Sequence, residues 1–126
     1  DNCTLQFDAT EMLEFDESCI PTGKLVSDNR FVKTTSLKNI NLDNCFLLSN
    51  IHQPKCVLKG KQLQLTITPD KSYPYLQIFT PDHRENIAIE NLSAAPDAFN
   101  NKMGLIMLEP NKEYNFATSY QVNLLN

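Results

Sequence analysis

Three polar side chains of this 126-residue chain stand where an extended backbone would hold them for chemistry: Glu90, Asp43 and Gln77. Glu90 closes the short run 86–90, on the face opposite to Ile87 and Ile89. The loop that follows, from Asn91 to Asn100, is built of small residues and a proline. A carboxylate at a strand end beside a stiff loop is suited to holding a polar substrate or taking a proton, although solvation is its commoner fate. Asp43 precedes the apolar run that begins at Cys45, and Gln77 lies in the middle of Tyr75-Leu76-Gln77-Ile78-Phe79. Taken singly, a strand-start acid reads as a turn cap and a mid-strand amide as a solvent-facing group. The two histidines, His52 and His83, sit in loops beside prolines, with no carboxylate partner that the spacing places next to them.

Other chemistries lack their residues. Cys3, Cys19, Cys45 and Cys56 contain no CxxC or Cys/His pair, so the pattern calls for no metal. No serine or cysteine stands in a GxSxG context, and Gly23, Gly60 and Gly104 are too scattered for a phosphate-cradling loop, so no cofactor is expected either. With 11 basic and 15 acidic residues interspersed, no Lys/Arg cluster is present to follow a nucleic-acid backbone. Lys55, Lys59 and Lys61 read as the solvated flanks of a hairpin turn at Gly60. No apolar run approaches the ~20 residues needed to span a bilayer, so no membrane partner is expected. Cys45 lies in an apolar run and reads as a buried thiol, and a chain of this size and apolar content does not need disulfides. A reducing cytoplasm is therefore the expected compartment. The chain opens on Asp1 with no leader pattern, which suggests processing or excision from something longer.

The elements that must position these groups follow a period of two. Segment 62–68 alternates strictly, with Leu63, Leu65 and Ile67 on one face. Segment 73–80 is aromatic and β-branched, and segments 86–90, 103–108 and 113–124 continue the extended pattern. Weaker runs at 3–7, 12–15, 24–26 and 45–49 read the same way, separated by loop-formers at 20–23 and 28–30. Only 94–101 has room for a helical turn. Hydrophobic residues at 41% suffice for a core, so the expectation is one all-β domain, an antiparallel β-sandwich.

Several phrases, in order, resemble blocks of the aldose 1-epimerase (galactose mutarotase-like) family. They are Ile20-Pro21-Thr22-Gly23, Leu42-Asp43-Asn44-Cys45-Phe46, Tyr75-Leu76-Gln77-Ile78-Phe79-Thr80, and Ile87-Ala88-Ile89-Glu90 continuing to Pro96-Asp97-Ala98-Phe99-Asn100. The stretch from Met103 to Asn111 and the closing run from Tyr114 to Val122 are similar to the family's last blocks. The resemblance implies that residues 1–126 are the C-terminal portion of a larger galactose mutarotase-like sandwich.

It also implies an activity: interconversion of the α and β anomers of free aldohexoses by acid–base ring opening. Glu90 falls on the family's catalytic base, and Asp43 and Gln77 fall on its sugar contacts. A carboxylate can deprotonate a hydroxyl while Asp and Gln share hydrogen bonds with adjacent sugar hydroxyls. Asn44 and Asn111 depart from the usual residues at their positions. The family's acid is a histidine in blocks N-terminal to those matched, and neither His52 nor His83 occupies such a motif. The chain is thus expected to supply the base without the acid and to be inactive alone. Two other readings are a non-catalytic carbohydrate-binding or interaction module on the same fold, and a hexose-6-phosphate epimerase, for which Arg84 is the phosphate-binding candidate. Strand edges left open by a partial sandwich predict pairing with the N-terminal part of the parent or self-association.

Overall fold

The computed structural model describes residues 2–49 and 54–126. Among the described residues, ten strands and one helical turn occur in chain order: β1 (Thr4–Phe7), β2 (Ala9–Phe15), β3 (Pro21–Ser27), β4 (Thr35–Ser36), β5 (Asp43–Leu48), β6 (Cys56–Lys59), β7 (Leu63–Pro69), β8 (Tyr75–Phe79), β9 (Ala88–Leu92), α1 (Ala98–Asn101) and β10 (Thr118–Leu124). Among the described residues they form two five-stranded sheets, ordered β10-β7-β6-β1-β4 and β3-β2-β5-β8-β9. Every pairing is antiparallel. The fold is the expected antiparallel β-sandwich.

Alternation explains how the two sheets meet. Leu5, Phe7, Cys56 and Ile67 from the first sheet and Phe46, Leu48, Leu76 and Ile78 from the second share one buried cluster. At its centre Phe7 stacks on Phe31 at 5.0 Å, and both meet Phe46 edge-on, at 4.8 and 5.8 Å. Edge-to-face aromatic contacts add about 0.5–1.5 kcal/mol per pair beyond their burial. The residues between these inward positions point to the outer face of the second sheet. There Leu13, Cys45 and Tyr75 form a second cluster, roofed by Ala95 and Met103 from the loop after β9. Strand β2 contributes to both clusters because its register shifts between Ala9 and Glu11, which turns Ala9 inward and Leu13 outward.

Several local expectations hold. The Lys59–Lys61 region is an exposed turn, closed by Gly60 N donating to Leu63 O at 2.8 Å. The single helical turn lies within 94–101. Cys45 is fully buried, and burial pushes its thiol pKa to about 12.

Others are corrected. Strand β9 runs two residues later than the run 86–90, so Glu90 sits at its centre and not at its end. Segment 103–108 is not a strand: it has no neighbouring strand to pair with, and Gly104 takes φ +73 where it packs on Tyr75. Pairing in the last run begins only at Thr118, after Asp70 binds the backbone of Ala117. Pro21 to Gly23, expected as a loop, lie inside β3, which bulges there with Gly23 at φ +87. No helix among the described residues is long and apolar enough to cross a membrane.

Candidate active site

The three candidate residues come from adjacent strands of one sheet. The register pairs Gln77 with Cys45 on one side and with Glu90 on the other, and pairs Asp43 with Phe79. Asp43 and Cys45 share a face because they are two residues apart, so Asp43, Gln77 and Glu90 all project from the outer face of the second sheet. Directly opposed residues hold their Cβ atoms about 4.5–5.5 Å apart, and diagonal ones remain within reach of long side chains. The diagonal reach is used here: Gln77 Nε2 donates to Asp43 Oδ1 at 2.9 Å. Glu90 stands exposed on the other side of Gln77.

The bond to Asp43 uses the amide nitrogen, and Gln77 Oε1 is buried with no hydrogen-bond partner. A buried acceptor left unpaired costs roughly 1–3 kcal/mol. Asp43 and Gln77 line a cavity of about 270 Å³, completed by Phe15, Cys19 and Pro96. The walls therefore combine one carboxylate and one amide with an aromatic ring, a thiol and a pyrrolidine. Glu90 does not line this cavity; it lies in the next position across β8.

Asp43 is held in place from behind. Thr80 Oγ1 receives Leu42 N at 2.7 Å, and Thr80 N donates to Leu42 O at 2.8 Å, with both residues buried. The start of β5 is thereby tied to the end of β8, one residue from Asp43. On the far side of Gln77, Tyr75 is buried, and desolvation first, then the nearby Cys45, raises its phenol pKa. Neither Tyr75 nor Cys45 offers an ionised group at neutral pH, and the carboxyl groups of the row are those of Asp43 and Glu90.

The remaining candidates lie elsewhere. His83 is exposed in the loop between β8 and β9, where its Nδ1 accepts from Glu85 N at 3.1 Å. His52 lies outside the described residues. Arg84 lines a separate cavity with Leu37 and Ile87, and its guanidinium donates to Ile40 O, Asn41 Oδ1 and Leu37 O at 2.6–2.8 Å. It braces the 37–41 loop. No group of three or more His, Cys, Asp or Glu that could hold a metal ion occurs among the described residues.

Three cavity residues escaped the sequence reading. Phe15 ended a weak apolar run, Cys19 looked like one thiol among four, and Pro96 was noted only within its phrase. Thr80 had a signal, since it closes the phrase that contains Gln77, but its bond to Leu42 depends on a strand pairing that no spacing reveals.

Comparison with known proteins bears on the family and the fold. The family model described as aldose 1-epimerase matches residues 1–121. Among solved structures, a galactose mutarotase-like protein from Clostridium acetobutylicum superposes with a TM-score of 0.84 at 15% sequence identity. That match covers 98% of this chain and 42% of the other, so the chain spans less than half the length of the protein it resembles. No curated protein matches the sequence. With the family model covering all but the last few residues and the sandwich reproduced, the chain belongs to the aldose 1-epimerase family.

Proposed function

We propose that this chain is the sugar-holding and base-bearing part of an enzyme that interconverts the anomers of free aldohexoses. The observation that carries the reading is the row Asp43, Gln77, Glu90 on one sheet face, with Gln77 bonded to Asp43 and its carbonyl oxygen unpaired. In this reading Asp43 and the Gln77 side-chain amide share hydrogen bonds with neighbouring sugar hydroxyls. Glu90 takes the proton from the C1 hydroxyl as the C1–O5 bond breaks, and an acid delivers a proton to O5. The open aldehyde rotates about C1–C2, and the reverse transfers close the other anomer. General acid–base catalysis contributes typically about 10²–10⁴-fold per positioned group, so a chain with the base alone turns over poorly.

The acid and the rest of the binding surface belong, in this reading, to a complementary segment of a longer protein. Supporting this, Leu63, Tyr120, Val122 and Leu124 form an exposed apolar stripe on β7 and β10, between 49% and 81% accessible. Four free cysteines support a reducing compartment, the cytoplasm. Arg84 gives the hexose-6-phosphate reading no support, because its guanidinium already serves the 37–41 loop.

Polarimetry tests the reading. The full-length protein should speed the optical-rotation change of fresh α-galactose or α-glucose, and Glu90→Gln should abolish that acceleration. A fully active Glu90→Gln variant would sink the assignment. Sugar binding with no turnover in the full-length protein would instead favour a carbohydrate-binding module.

A further inference from the structure

The wall of the Asp43–Gln77 cavity that faces away from the sheet is made by Pro96, in the loop between β9 and β10. Backbone bonds close the turn beside it, from Asn100 N and Asn101 N to Asp97 O, both at 3.0 Å. The helical turn α1 is flanked by Asp97 at φ 59 and Lys102 at φ 64, both non-glycine residues in the left-handed region. Such conformations persist when the surroundings enforce them.

The enforcing side chain is Asn101. Its Nδ2 donates to Pro96 O at 2.8 Å, and its Oδ1 accepts from Met103 N at 2.9 Å. One amide thus bridges the two ends of the turn. Immediately outside it, Ala95 N donates to Met103 O at 3.0 Å. Ala95 and Met103 rest on Leu13, Cys45 and Tyr75, and Gly104 packs so closely on Tyr75 that a Cβ there would lie 3.1 Å from its ring. The loop base is therefore docked two residues from Gln77, and Asn101 transmits that docking to Pro96.

We infer that Asn101 is a positioning residue for the sugar cavity: its side-chain amide sets Pro96 against Asp43 and Gln77 and thereby sets affinity for the sugar. This rests on the sugar-binding reading proposed above. Asn101 touches neither the reacting atoms nor Glu90, so its loss should weaken binding and leave the chemical step alone.

The experiment titrates the isotopically labelled full-length protein with D-galactose and follows the Gln77 side-chain amide by NMR. Asn101→Ala should weaken binding on the order of tenfold. Asn100→Ala, which removes only the 2.6 Å bond to Asp97 in the same turn, should stay within about twofold. Asn101→Asp provides a signature that mere loss of stability cannot copy. Ionised, the introduced carboxylate accepts from Met103 N but opposes Pro96 O; protonated, it can donate to Pro96 O and mimic the amide. Its affinity relative to the wild type should therefore recover as pH falls toward about 4, while that of Asn101→Ala should not. Asp43 and Asp97 are common to both proteins, so the ratio to the wild type isolates position 101. A wild-type Gln77 amide that ignores galactose would overturn the sugar reading itself. A normal wild-type response, with unchanged affinity in Asn101→Ala or no recovery in Asn101→Asp, would overturn this inference alone.

Discussion

Gln77 and Asp43, 34 residues apart in sequence, are joined by a 2.9 Å hydrogen bond from the Gln77 amide to the Asp43 carboxylate. The bond fixes which end of the Gln77 amide faces Asp43, leaving Oε1 buried. It makes the pair a single polar unit, one carboxylate and one oriented carbonyl.

Replacing the amide by an acid should set two carboxylates against each other. In Gln77→Glu one of the two must hold a proton, so the shared carboxyl pKa rises. Stability relative to the wild type should be nearly unchanged at pH 4 and should fall toward pH 7, by about 1.4 kcal/mol for each unit of that rise. Thermal melts at the two pH values check this. An equal melting temperature for variant and wild type at pH 7 would mean that the pair is not in contact in solution.

Thr80 should matter beyond its size. Thr80→Val keeps the shape but leaves the buried Leu42 N–H without its 2.7 Å partner, at a cost of about 1–3 kcal/mol. Thr80→Ser restores the hydroxyl and should recover most of the loss. Chemical denaturation of both variants measures the difference, and a neutral valine variant would contradict the assigned bond.

Acid should weaken the fold through two aspartates. The Arg30 side chain, bonded to Asp28 at 2.6–3.0 Å, holds that carboxyl below the usual aspartate value despite its burial. The Ser72 backbone N–H does the same for Asp70, with help from Ala117 N. Both carboxyls bind protons more tightly in the unfolded chain than in the folded one. Their stabilisation is therefore full above the ordinary aspartate pKa of about 3.9 and is lost as pH falls through the lower folded values. Asp28→Asn should melt lower than the wild type at pH 7 and show a flatter decline into acid. Parallel pH–melting curves would refute this origin for the acid limb.

The exposed stripe of Leu63, Tyr120, Val122 and Leu124 should make the isolated chain associate with itself. Light scattering should show a mass that grows with concentration, and Val122→Lys should reduce it. A monodisperse monomer across the micromolar range would show that the stripe needs no cover.

The sequence by itself determined the class of structure and named Glu90, Asp43 and Gln77 as candidates for the site. Alternation along 62–68 and 73–80 demands half-buried strands because successive side chains point to opposite faces. The same parity placed Glu90 opposite Ile87 and Ile89, and the structure indeed packs both isoleucines against the main core. Motif order identified the family. Tertiary structure decided what depends on which strands become neighbours. Only the order β5-β8-β9 brings Asp43, Gln77 and Glu90 into one row, and only strand registers show that Glu90 is central in β9. It also decided where the pattern misleads. Segment 103–108 is an apolar run that reads as a strand, yet without a partner to take its backbone hydrogen bonds it remains a loop, and Gly104 packs on Tyr75 instead. Periodicity records which face a residue presents; hydrogen bonds between distant segments decide what that face meets.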